Sequence, residues 1–313
     1  MEVTIFREYY GSFELEDRFL SDTENAIDVI IPVLNTNDLW KTNLHSFYKE
    51  IPINRLLIGD GGCTDDTLDI VREFPRVEVV SLKDTSLGFR IRKLIELVET
   101  TFFIYLHSDV YLPSNWYDDM EKYKDKYDWF ECKRRMTVLI DFWSHDPKDQ
   151  KRALSGSQFG RTDIMKKVSS KIEDDYSYRQ EDIIFAELLE QEGGKYHIVE
   201  DTFHFHQTMN KVGAEVPMYK SINVEREADR DTEIMIFDTQ VRGLIKYLKP
   251  KKYLITMANY CLFQLYQRDA MDWSEFRRWV KETNPVWLKF IREKGTWKQR
   301  FAIFAKDTYK KWK

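Results

Sequence analysis

Short apolar runs alternate with helix-like segments through the first third of the chain. Ile27-Asp28-Val29-Ile30-Ile31-Pro32-Val33-Leu34 is almost continuously apolar, the pattern of a strand buried on both faces. Helical spacing follows over Leu39–Glu50, then a second run, Arg55-Leu56-Leu57-Ile58. The turn-rich stretch from Gly59 to Thr67 leads to a helix over Leu68–Phe74 and a third strand over Val77–Ser81. Leu94–Thr100 reads as helix and Phe102–Leu106 as a fourth strand. Beyond Asp109 the alternation loosens. Trp116–Tyr127 has helical character, Trp129–Ile140 suits strands, and Asp182–Glu192 forms a helix stopped by Gly193-Gly194. Tyr196–Val199 and Thr202–His206 read as extended. This order predicts an α/β fold, a mainly parallel sheet flanked by helices on both faces. Ligands of such sheets bind beyond the C-terminal ends of the strands.

The strand ends hold the candidate chemistry. Pro32-Val33-Leu34-Asn35 leaves the first strand, and Asp60 opens a glycine-rich turn after the second. A carboxylate there can accept an N–H bond from a nucleobase, or it can cap backbone amides in an Asx-turn. His107-Ser108-Asp109 follows the fourth strand, where Asp109 is a hard oxygen donor suited to Mg²⁺ or Mn²⁺ on a diphosphate. Gln180-Glu181-Asp182 opens a helix. A carboxylate at such a position can serve as general base, or simply favour the helix dipole.

Together these segments resemble the family 2 nucleotide-sugar glycosyltransferases of the GT-A fold, over about residues 27–209. DVIIPVLN is similar to the family's first strand, and GDGGCTDDT to its nucleotide-binding turn. LHSDVYLP resembles the metal motif with His in place of its first Asp, and QEDIIFAELLEQEG the Glu-Asp motif. The resemblance implies a metal-dependent inverting glycosyltransferase of hexosyltransferase type. Asp182 takes the place of the base, with Glu181 beside it. Pro32, Val33, Asn35, Asp60, Arg90, Arg92 and Ser108 fall on the nucleotide side, and Asp109 holds Mn²⁺ or Mg²⁺. The segment LGFRIRK follows the family's glycine–arginine segment only loosely. His107 is not a like-for-like replacement for a carboxylate, so a second ligand is needed. In Thr202-Phe203-His204-Phe205-His206, alternate residues share a face, so His204 and His206 point together. Several GT-A enzymes use a histidine downstream of the base as a metal ligand, so the resemblance implies His206 as the first choice and His204 as the second.

Composition and charge narrow the picture. The chain has 313 residues, 42% hydrophobic and 32% charged, which excludes disorder and collagen-like repeats. Its three cysteines share no metal spacing and form no even disulfide set, favouring a reducing, cytoplasmic setting. The start lacks a signal peptide's apolar core. The uncharged stretch Tyr253–Tyr266 would make a helix of about 21 Å, short of a ~30 Å hydrocarbon core. From Arg242 to Lys313 there are 18 Lys and Arg against 6 Asp and Glu, leaving 30 against 47 elsewhere. The expected division is an extension over 1–25, a GT-A catalytic domain over 26–238 and a basic, aromatic-rich helical region over 239–313. That last region either packs on the catalytic domain or binds an anionic membrane surface at the inner face, which would suit a lipid-linked rather than a soluble saccharide acceptor. No nucleic-acid motif accompanies the charge. A retaining enzyme, a receiver-like domain phosphorylated on Asp60 and a catalytically inactive scaffold are the alternatives at this point.

Overall fold

The computed structural model describes residues 3–6, 15–36, 39–136, 156–174 and 181–206. The tail from 239 onward, residues 137–140, Cys261 and Tyr253–Tyr266 lie outside them. Four strands run parallel at the centre: β2 (Ile27–Val33), β3 (Ile53–Asp60), β4 (Val77–Ser81) and β5 (Phe102–Leu106). Their spatial order is β4-β3-β2-β5. The sequence expectation matches β4 and β5 at both ends and the other two strands to within two residues. Helices α1 (Trp40–Glu50), α2 (Thr67–Val71) and α3 (Leu87–Leu97) connect them.

Alternation along β2 explains the two covered faces. Ile27, Val29, Ile31 and Val33 join a cluster with Trp40, Leu44, Phe47 and Tyr48 of α1. On the opposite side, Ile30 is fully buried, and α3 is the helix that packs on β2.

Beyond β5 the sheet turns mixed. β8 (Ser157–Arg161) runs antiparallel to β5 and to β7 (Trp129–Met136), while β9 (Tyr196–His206) runs parallel to β7. The two-residue strand β6 (Val110–Tyr111) pairs antiparallel with the end of β9. Helices α4 (Trp116–Glu121), α5 (Thr162–Ser169) and α6 (Glu181–Gln191) complete the described elements. β1 (Val3–Phe6) adds antiparallel to β4 at the other edge, so part of the expected N-terminal extension belongs to the sheet. Arg76 ties residues 15–25 down. Its guanidinium meets both oxygens of Asp17 at 2.8 and 2.7 Å and lies over the Phe19 ring.

The segment LGFRIRK is helical. Ser86 caps α3, its Oγ accepting from Phe89 N at 3.3 Å, an N-cap that stabilises by about 1 kcal/mol. The helix therefore starts seven residues earlier than apolar periodicity suggests, and ends at Leu97.

The N-terminal ends of the parallel strands are closed by a buried ionic cluster. Asp28 is fully buried and accepts from Arg55 Nη2 at 2.6 Å, Asn54 Nδ2 at 2.9 Å and Glu99 N at 2.9 Å. Arg55 also reaches Leu97 O, Glu78 and Glu99. Removing one partner of such a pair costs about 3–5 kcal/mol, because the other charge is left buried.

At the opposite ends the topology opens. After β2 the chain adds β3 and β4 on one side and β5 on the other, so a switch point lies between β2 and β5. Pairing of β2 with β5 stops at Ile30↔Tyr105, whereas pairing with β3 continues to Val33↔Asp60. Pro32, with no N–H to give, stands where β2 has parted from β5.

Chain contacts divide the molecule into two compact units. Met1–Asp174 with Phe185–Glu227 form the first, and Glu181–Ile184, the first turn of α6, belong to the second. Among the described residues no helix is long and apolar enough to cross a membrane.

Candidate functional site

Three chain segments meet at the open end of β2, β3 and β5. The turn after β3 is an Asx-turn: Asp60 Oδ1 accepts from Gly62 N at 2.9 Å and Cys63 N at 2.7 Å. It is stitched to the end of β2 by Asn35, whose Nδ2 donates to Thr64 Oγ1 at 3.1 Å while its Oδ1 accepts from Thr64 N at 2.9 Å. Val33 O accepts from Gly61 N at 2.9 Å and from Arg90 Nη1 at 3.2 Å. A Cβ on Gly61 would lie 2.1 Å from Arg90 Nη1, so this glycine is required by the guanidinium beneath it. Arg90 is thus buried as a brace under the turn. Arg92 is engaged on another side of α3, with Glu96 at 2.8 Å and Ile172 O at 2.7 Å. Burial pushes the Cys63 thiol up to about 12, which keeps it protonated and unsuited to nucleophilic work.

The turn after β5 is held from beneath by α1. Asn43 Nδ2 donates to Ser108 O at 2.8 Å, Ser46 Oγ accepts from Leu112 N at 3.2 Å, and His107 N donates to Gly156 O at 2.8 Å. These bonds fix His107-Ser108-Asp109 against β9, whose last residue pairs with Val110.

The outcome is a cluster of His107, Asp109 and His206, whose donor atoms all lie within 4.8 Å of one another. His206 Nε2 is 3.4 Å from Asp109 Oδ2, and His107 Nδ1 is 4.0 Å from Asp109 Oδ1. A cation with ligand bonds of about 2.0–2.2 Å spans tetrahedral donor pairs about 3.3–3.6 Å apart, so modest side-chain motion fits these three donors to a divalent ion. Asp109 is 32% accessible at its side chain, yet densely surrounded. Burial raises its carboxyl, but the imidazoles of His206 and His107 outweigh that and bring it down to about 2. It is an anion at any working pH.

His206 and His204 do share a face of β9, with ring centroids 5.7 Å apart. Only His206 joins the cluster. His204 is fully buried beneath it, with Nδ1 2.8 Å from Ser157 Oγ and 3.4 Å from Cys132 Sγ. Burial, with the neighbouring His206 and His107, pushes its imidazole well below the usual range, so it stays neutral.

Two contributors escaped the sequence reading. His107 was set aside for lacking a carboxylate, although its place two residues before Asp109 puts both at one strand end. Gly156 carried no signal at all. A Cβ there would sit 2.7 Å from Val110 Cγ2 and 3.0 Å from His206 Cε1 and Nδ1, so the His206 ring occupies the space a side chain would fill.

Glu181 is buried and Asp182 partly so, and Asp182 Oδ1 accepts from Ile183 N at 2.8 Å. They belong to the second unit.

The fold has solved counterparts. The S. aureus TarS 1-349 structure in complex with UDP-GlcNAc is similar with a TM-score of 0.53 at 14% identity, covering 86% of this chain and 81% of that one. Glucosyl-3-phosphoglycerate synthase from Mycobacterium tuberculosis, in complex with Mn²⁺, UDP-glucose and phosphoglyceric acid, gives a TM-score of 0.48 at 12% identity over 76% of this chain and 87% of that one. No protein-family model matches the sequence, and no curated protein does. The fold class is therefore GT-A: a parallel α/β centre extended by an antiparallel side.

Proposed function

We propose that this chain is a glycosyltransferase that moves a sugar from a nucleoside-diphosphate sugar to an acceptor hydroxyl with inversion. The observation that carries the reading is the convergence of His107, Asp109 and His206 at the switch point of a GT-A sheet. These three residues would hold a divalent cation, which supplies charge neutralisation for a diphosphate when bound. Asp60 and Asn35, in the laced turn beside it, face the nucleoside end of the donor, with Pro32, Val33 and Ser108 completing that edge. Arg90 keeps the turn in place, and Arg92 is assigned to the phosphates by its motif position alone.

Asp182 accepts the proton of the attacking hydroxyl, a role resting on its place in the QED motif, with Glu181 as its neighbour. The acceptor oxygen then bonds to the anomeric carbon while the bond from that carbon to the diphosphate breaks. One base and one leaving-group site make this a single displacement. A saccharide or lipid-linked molecule is the acceptor class this reading carries, and the excess of Lys and Arg beyond Arg242 is what supports an anionic surface for the tail, beside its packing on the catalytic domain.

TarS has been solved with UDP-GlcNAc, which makes UDP-sugars the first donors to try. Isothermal titration of the full chain with UDP-, GDP- and dTDP-sugars, each with and without a divalent cation, tests the reading. Cation-strengthened binding of one nucleotide class is expected. Absence of binding by all three classes overturns it.

A further inference from the structure

The donor set at the switch point differs from the oxygen-rich sites that suit Mg²⁺. Mg²⁺ prefers carboxylates, waters and phosphate oxygens and dehydrates reluctantly. Imidazole nitrogens suit later first-row ions, and affinity for such sites rises from Mn²⁺ through Co²⁺. Here two of the three protein donors are imidazoles, from His107 and His206, with the single carboxylate of Asp109 between them. The cluster is also built rather than incidental. Asn43 and Gly156 fix the turn that carries His107, and Gly156 makes room for the His206 ring. The His107 and His206 rings stand edge-to-face at 5.8 Å, on either side of Asp109.

We propose that the His107–Asp109–His206 centre selects Co²⁺ or Zn²⁺ over Mg²⁺, and that His107 sets this selectivity. The inference rests on the reading of these residues as the donor-site cation centre. It concerns which ion they take rather than which sugar is moved. A nitrogen-rich centre tolerates lower coordination numbers, whereas Mg²⁺ demands near-octahedral oxygen. Exchange of one imidazole for a carboxylate should therefore narrow the preference over Mg²⁺.

The test uses the full chain, stripped with a chelator and titrated with Mg²⁺, Mn²⁺, Co²⁺ and Zn²⁺ alone, by calorimetry and by competition with a coloured chelator. Co²⁺ gives a further readout, because its visible ligand-field bands report imidazole coordination without any activity measurement. Binding should tighten from Mg²⁺ through Mn²⁺ to Co²⁺ and Zn²⁺. His107→Asp should weaken Zn²⁺ at least as much as the ~10–100-fold that loss of an outer partner costs, and shift the Co²⁺ bands. Mg²⁺ binding to this variant should hold or improve. Mg²⁺ binding as tightly as Zn²⁺ in the unmodified chain overturns the proposal, as does a chain that binds none of the four ions. The unmodified chain alone decides the ion order, even if the variant folds poorly, whereas Zn²⁺ affinity and Co²⁺ bands unchanged in the His107→Asp chain overturn the part assigned to His107. Nucleotide-sugar titration is read separately. The predicted ion order without nucleotide binding supports the selectivity and removes the transferase reading, whereas nucleotide binding with Mg²⁺ favoured does the reverse.

Discussion

Gly156→Ala is the sharpest single perturbation of the candidate centre, because it touches no ligand atom chemically. The added methyl would stand 2.7 Å from Val110 Cγ2 and 3.0 Å from two atoms of the His206 ring, where ordinary contact begins at 3.4 Å. The ring must retreat by roughly 0.4 Å, about twice the ±0.2 Å tolerance of a metal–ligand distance. Two separable costs follow. Overpacking should destabilise the chain by about 1–3 kcal/mol, seen as a lower urea midpoint with an unchanged slope. Displacement of His206 should weaken the tightest-binding cation by about 10–100-fold, or about 1.4–2.7 kcal/mol. Adding Val110→Ala removes the closer clash and should recover part of the packing cost through positive coupling, but leaves the ring displaced. Stability would then rise relative to the single variant while cation affinity would not. Calorimetric titration of both variants decides the matter. A Gly156→Ala chain whose cation affinity lies within about twofold of the original would refute the reasoning, since the ring would then not depend on that space.

Other consequences can be checked in the same preparations. Asn43→Ala should leave Ser108 O without this donor, costing about 0.5–1.5 kcal/mol and loosening cation binding; an unchanged melting temperature would show that the turn is held by other means. Asp182→Asn should lower turnover by about 10²–10⁴ with near-normal donor affinity, and full turnover in that variant would move the base elsewhere. His204 binds a proton less readily folded than unfolded, so stability is retained near neutrality and lost as pH falls below about 6.5. His204→Gln should flatten that acid limb between pH 7.5 and 5.5 in chelator-treated protein, and an unaltered limb would assign it to other groups.

The central strands were legible because burial on both faces leaves continuous apolar runs, as in Ile27–Leu34 and Phe102–Leu106. β8 escaped because Ser157, Gln158 and Gly160 are polar or small yet buried, so hydropathy gives no strand signal. β1 escaped as a four-residue edge strand flanked by acidic and aromatic residues. α3 was shifted because its first turn is set by the Ser86 cap and by Arg90, a charge buried inside the fold rather than on a polar face. At the site, Asp109 stands out in the sequence by its place at a strand end and His206 by the family resemblance, and the structure brings both into one cluster. Asp60 lies in the glycine-rich turn, where its Oδ1 makes the Asx-turn bonds weighed as the alternative to a nucleobase contact. The third donor was discounted because one-dimensional reasoning weighed His107 by residue type. Its proximity to His206, 99 positions later, exists only once β6 and β9 pair.

The ionic cluster at the closed end of the sheet has a consequence for how this chain can change over generations. Asp28, Arg55 and Glu78 pin three neighbouring strands, with Glu99 reached from the segment ahead of β5, so register is set without help from the loops at the other end. Residues after β2, β3 and β5 can therefore be exchanged, lengthened or re-charged while the strands beneath keep their alignment. A saturation library should show this as a gradient, with variants at Asp28 and Arg55 lost for want of folded protein and many exposed loop positions replaced without loss of it. New donor or acceptor preferences can then arise by drift in the loops, on a scaffold whose alignment is insured from the far side.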